Sequence, residues 1–140
     1  MSKKNLESRV IVHEKSHIIA ALATSERKQQ AVVLISGPAV SESMGWPWFR
    51  VLIADSASLY QHALFTTVFD CGSAVGFAMA ALADGATTIR LQAPPLVLER
   101  VRDIATQSGA VIDSDIRPAL NLLFSSDPVT ACHTWFNLAV

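Results

Sequence analysis

The amino-acid sequence predicts an α/β domain: a three-layer sandwich whose mostly parallel, five-stranded sheet carries helices on both faces. Three observations carry that prediction. Short β-rich runs alternate with segments of helical periodicity. One run, Ala31 to Ser36 (AVVLIS), is apolar without interruption, the composition of a strand covered on both sides. The breaks between runs fall at Gly37-Pro38, Gly72-Ser73, Pro94-Pro95 and Gly109, residues that open or close helices.

Residues 1–8 are polar and expected to be flexible, leaving 9–140 as a single domain. Arg9 to Val12 (RVIV) reads as the first strand. Ser16 to about Lys28 reads as a helix, with Ile18, Ile19, Leu22 and Ala23 at helical spacing. After Ala31 to Ser36, the loop from Pro38 to Gly45 leads to a helix with Pro47 at its first position. Phe65 to Asp70 (FTTVFD) is the third strand. The small-residue helix Ala74 to Ala83 follows, closed by Gly85 as a left-handed cap. Thr87 to Leu91 is the fourth strand, Pro94-Pro95 starts a helix carrying Val97, Val101, Ile104 and Ala105, and Val111-Ile112 is a short fifth strand. Leu120, Leu122 and Phe124 alternate like an edge strand or an extended arm. Asp127-Pro128 opens a last helix anchored by Trp135 and Phe136. Strand and helix alternating at this spacing imply right-handed crossovers. The pattern resembles the flavodoxin-like or Rossmann-like class, an analogy of architecture that carries no function with it.

Composition bounds the partners. The 140 residues suit one domain, and the net charge of −1 with scattered Lys and Arg gives no basic stripe for nucleic acid. The longest apolar run, Ala74 to Ala83, is far short of a membrane span, which needs about 20 residues. No secretory segment is recognisable at the N-terminus, and Cys71 and Cys132 are widely separated, so a cytoplasmic setting is expected. Apolar residues make up 51% and charged residues 16%, against about 25% charged in ordinary domains. Some apolar surface should therefore be covered by another subunit, most simply in a homodimer.

In a parallel sheet, ligands bind beyond the carboxyl ends of the strands, where helix N-termini present free N–H groups. That rule nominates His13 after the first strand, and Ser36, Gly37, Glu42, Trp46 and Trp48 in and after the second. It adds Asp70, Cys71 and Ser73 after the third strand and Asp113 after the fifth, with Gln92-Ala93 as the loop after the fourth. Trp46 and Trp48 would either line a binding lid or pin their loop to the domain. Cys71, at a strand-to-helix turn, would feel a helix N-terminus that favours the thiolate. No arginine stands six residues later, where a phosphate-binding cysteine loop would want one. Neither a G-x-S-x-G elbow nor a Gly-rich phosphate motif occurs, and no cofactor is expected.

His13-Glu14-Lys15-Ser16-His17 matches H-E-x-x-H and so resembles the zinc metalloprotease signature. That chemistry needs both imidazoles on one helical turn around Zn²⁺, with the glutamate activating water. Here Arg9 to Val12 runs as a strand directly into His13, Lys15 places a charge inside the motif, and no third ligand follows at a recognisable spacing. The sequence thus supports a binding domain for a small ligand or protein partner. Its alternatives are an enzyme using Cys71 as nucleophile and a zinc hydrolase using His13 and His17.

Overall fold

The first element among the described residues is β1 (Ser8–Val12), followed by α1 (Lys15–Lys28), β2 (Val32–Ser36), α2 (Gly45–Ala57), β3 (Phe65–Asp70) and α3 (Val75–Ala83). Then come β4 (Thr88–Arg90), α4 (Pro95–Gln107), β5 (Val111–Ile112), β6 (Leu120–Asn121) and α5 (Pro128–Leu138). The structure is a computed structural model that describes residues 7–38 and 44–138. Glu42 and most of the Pro38–Gly45 loop therefore lie outside the described residues.

The strands form one parallel sheet in the order β5-β4-β3-β2-β1-β6. The α/β class is as expected, compatible with a flavodoxin-like run of strand–helix units, but the sheet has six strands among the described residues instead of five. The sixth comes from the alternating segment near Leu120. Leu120 and Asn121 pair with Val10 and Ile11 at the edge of β1. Leu122–Phe124 then coils into a 3₁₀ turn, because the Asn121 side chain accepts the Leu123 N–H at 3.0 Å and ties the strand off. That turn drops Leu122 into the core and leaves Phe124 in solvent.

From β1 to β5 each strand is laid beside its predecessor in the same direction, so right-handed crossovers place α1 to α4 on one face. The packing agrees. Val10, Val12, Val32, Leu34, Phe69 and Ile89 join the buried residues of all five helices in one cluster. The alternate side chains Val33, Ile35 and Val68 form a second, smaller cluster with Ile11 and Ala119. The three layers are thus lopsided, with the helices on one face where both faces were expected to carry them: helices, sheet, and on the second face the irregular segment 113–119 that returns from β5 to β6.

Local chemistry explains the element ends. Gly85 (φ +92°) lets Ala86 N–H reach Ala81 O at 2.9 Å and Gly85 N–H reach Leu82 O at 3.2 Å, closing α3 in a Schellman arrangement. Asp127 receives the Thr130 N–H at 3.2 Å as the N-cap of α5. Ser8, assigned to the flexible tail by the sequence, belongs to β1 and is buried.

Candidate functional site: the carboxyl edge of the sheet

The first two strands end in a tight junction. Gly37 N–H donates to Val12 O at 2.8 Å, and the His13 ring packs against Gly37, where a Cβ would come within 2.2 Å of His13 Nδ1. β1 stops at Val12, and Glu14 is the extended N-cap of α1, so His13 stands outside the helix. Its backbone N–H donates to His17 Nδ1 at 3.0 Å, while its own Nε2 lies 2.7 Å from Asn121 Oδ1. The two rings meet edge to face at 5.8 Å. His17 is buried, and desolvation lowers its pKa below the usual 6.5, partly opposed by the Glu14 carboxylate and reinforced by His13. Its neutral imidazole is thus an acceptor that fastens the start of α1 to the end of β1. Among the described residues, no three His, Cys, Asp or Glu side chains gather as a metal-binding group.

The third strand ends in the turn Asp70-Cys71-Gly72-Ser73. Ser36 Oγ accepts the Asp70 N–H at 2.8 Å, and the Asp70 carboxylate accepts the Gly72 N–H at 2.9 Å. Gly72 takes φ +57°, a left-handed conformation that favours glycine. The turn is stitched to the end of β4 by Cys71 N–H to Arg90 O at 2.8 Å and Gln92 N–H to Gly72 O at 2.7 Å. Between these ends lies a cleft of about 380 Å³, lined by Pro38, Asp70, Cys71, Gly72, Ser73 and Gln92. Its rim is polar, with the first turn of α3 opening beside it.

Cys71 forms part of the floor, yet its side chain is buried against the helix-side core and Sγ lies 3.7 Å from Phe69 O. Burial, reinforced by the Asp70 carboxylate, pushes its thiol up to about 12. The thiolate expected from a helix N-terminus is not favoured here, because burial and the Asp70 carboxylate both oppose ionisation.

Asp70, Cys71 and Ser73 therefore share one cleft, with Ser36 bound to its wall. His13 and Gly37 meet at the neighbouring junction. Trp46 goes elsewhere: it packs on Phe49 and Phe69 and donates its indole N–H to Asp84 at 2.9 Å, pinning α2 to the domain. Trp48 is half exposed on the same helix. Asp113 turns away onto the second face of the sheet, into an ion cluster the sequence did not suggest. There Arg9 meets Asp113 at 3.0 Å and Asp115 at 3.2 Å, and Arg90 meets Asp113 at 2.6 Å. Arg117 grips Asp115 at 2.5 Å and, by those hydrogen bonds, holds its carboxyl well below the usual range. Arg90, Asp113, Asp115 and Arg117 border an open cleft of about 500 Å³ that also reaches Gln92. The available signal was Arg9 itself, a charge heading an otherwise apolar strand.

The fold and this edge define an α/β domain with a polar cleft at the carboxyl ends of its strands. No protein-family model matches this chain, and no curated protein is significantly similar to it.

Proposed function

We propose that the protein binds a small polar molecule in the carboxyl-edge cleft, acting as a ligand-binding domain. One observation carries this reading: β2, β3 and β4 end around a 380 Å³ cleft rimmed by Asp70, Gly72, Ser73 and Gln92. A cleft there has a rigid floor, because Ser36, Asp70 and the β4 end are hydrogen-bonded to one another. It also has adaptable donors and acceptors above that floor, the usual division of labour in a binding site. The neutral thiol of Cys71 supports binding over nucleophilic catalysis.

The test is an amide-detected NMR titration with inorganic phosphate, a nucleoside monophosphate and succinate as probes. Saturable shifts confined to Gly72, Ser73 and Gln92 are expected for at least one probe, and Gln92→Leu should weaken them. Shifts scattered over the surface, or unchanged by Gln92→Leu, would sink the reading.

A second reading concerns self-association. Met44, Trp48 and Val51 on and before α2, with Phe77 on the neighbouring α3, are all exposed apolar side chains. They are the surface through which the proposed homodimer would form. Sedimentation of the wild type against Trp48→Glu decides it: loss of a dimer is expected, and a monomer in both contradicts it. A cytoplasmic setting accords with two free, buried cysteines. No helix among the described residues is long and apolar enough to cross a membrane.

A further inference from the structure

Three arginines, Arg90, Arg102 and Arg117, line the cleft of about 500 Å³ beside the ion cluster. They come from three parts of the chain: the last residue of β4, the middle of α4 and the return segment ahead of β6. The stretches that follow β4 and β5 also line it, through Gln92 and Ser114, so the cleft lies at the carboxyl ends of these two strands. Ligands of parallel sheets bind at such ends.

Charge at this cleft is unbalanced. Its carboxylates are those of Asp113 and Asp115, and buried Arg9 donates to both. Four guanidinium groups thus meet two carboxylates, in a chain whose net charge is −1. Glu7 also acts on Arg117 but does not line the cleft, and positive charge stays in excess even when it is counted. The arginines have donors to spare. Arg90 grips Asp113 through Nε and Nη2, and Arg117 grips Asp115 through the same two atoms. In each, Nη1 is left without a partner and is not a buried atom. Among the described residues, Arg102 makes no ion pair and its side chain no hydrogen bond. The rest of the wall is largely apolar, with Leu98, Ile112 and an Ile116 side chain left almost wholly in water.

We propose that this cleft binds a small phosphomonoester with an apolar organic group. The phosphoryl oxygens accept from Arg102 and from Nη1 of Arg90 and Arg117, and the organic group lies against Leu98, Ile112 and Ile116. A planar carboxylate is satisfied by one arginine fork, as Asp115 is by Arg117. A phosphoryl group instead offers three terminal oxygens to donors from several directions and carries a charge of about −2. The cleft falls in the size range of small-ligand sites, about 300–1,000 Å³. It meets the carboxyl-edge cleft only at Gln92 and does not depend on that cleft being a site.

The test is an NMR titration with phenyl phosphate, reading the Nε–H resonances of Arg90, Arg102 and Arg117 and the Ser114 amide. Saturable shifts at these positions are expected. Inorganic phosphate, lacking the organic group, should bind there about fivefold more weakly, and benzoate, lacking the phosphoryl group, at least about tenfold more weakly. Arg102→Gln should weaken phenyl phosphate about tenfold, the order of one lost hydrogen bond between charged groups, without disturbing the fold. Arg100→Gln makes the same change of charge on an exposed residue of α4 outside the cleft and should leave affinity within about twofold. Absence of saturation, benzoate binding equal to phenyl phosphate, an Arg102→Gln protein that titrates like the wild type, or an equal loss in Arg100→Gln would overturn the proposal. Shifts confined to Gly72 and Ser73 would also overturn it while supporting the carboxyl-edge cleft, so the two sites are judged separately.

Discussion

Replacing Gly37 by alanine tests whether the ring of His13 is what closes the junction between β1 and β2. The added Cβ would fall 2.2 Å from His13 Nδ1 and 2.3 Å from Cε1, about 1.2 Å inside ordinary van der Waals separation. The backbone at Gly37 is not among the positive-φ glycines, so alanine itself is not strained there. The ring must therefore move. Doing so breaks its 2.7 Å contact with Asn121 Oδ1, which at an exposed site contributes about 0.5–1 kcal/mol. It also forces the imidazole toward a poorer rotamer, costing about 0.5–1.5 kcal/mol. Against this, alanine restricts the unfolded chain and contributes about 0.4–1 kcal/mol of stability. The net expectation is a loss of about 1 kcal/mol for Gly37→Ala in the wild type. In a His13→Ala background the ring is gone, and only the favourable contribution remains, so the same substitution should stabilise by about 0.4–1 kcal/mol. Urea unfolding of the four proteins, followed by far-ultraviolet circular dichroism, gives the coupling energy directly. The signature is a change of sign between backgrounds. Equal effects in both would refute the idea that His13 occupies the space glycine leaves open.

Other expectations follow from the same geometry. Because burial lowers the His17 pKa below 6.5, the unfolded chain binds more protons than the folded one just below that value. Stability should therefore be fully present above about pH 6.5 and fall as the pH drops toward the depressed value; urea midpoints that stay flat across this window, or a His17→Gln variant with the same slope, would contradict it. Cys71 and Cys132, both pushed up to about 12 by burial, should react with a chromogenic disulfide at neutral pH far more slowly than free cysteine, and normally once urea unfolds the chain; rapid modification of native Cys71 would revive a nucleophilic role. Asp113→Ala removes the carboxylate shared by Arg9 and Arg90 and leaves a buried guanidinium short of its partner. A loss of about 3–5 kcal/mol in unfolding free energy is expected, and a loss below about 1 kcal/mol would show that the ion cluster is dispensable.

The elements were legible in the sequence because their signals are local. Apolar runs, Pro95 at a helix start and Gly85 and Gly109 at helix ends each act within a few residues, and β3 spans Phe65–Asp70 as expected. The carboxyl-edge rule is also local once strand direction is known, which is why Asp70, Cys71 and Ser73 were found together. What escaped depended on distance along the chain. Arg9 and Asp113 are separated by 104 positions, and no periodicity connects them. The protonation state of Cys71 escaped for another reason: a strand-to-helix turn says that a dipole is near, whereas only packing shows how deeply the thiol is desolvated. Trp46 and Trp48, two residues apart, look like a pair in the sequence, yet helix geometry turns one inward and the other to solvent.

The strand order explains why charge is placed where it is. A sheet laid down in one direction from β1 to β5 gathers its crossover helices on one face. The second face is then left with Val33, Ile35, Val68 and Ile11 to cover and, among the described residues, the return segment to cover them. That segment is poor in apolar contacts: Ala119 packs on the cluster, while Ile116 points almost wholly into water. Hydrophobic burial alone cannot hold it, so the chain fixes it by charge, with Asp113 and Asp115 drawn down onto Arg9 and Arg90. A buried arginine at the head of β1 would otherwise be costly. Here it is the anchor that lets a sheet with one-sided helical cover close its other face.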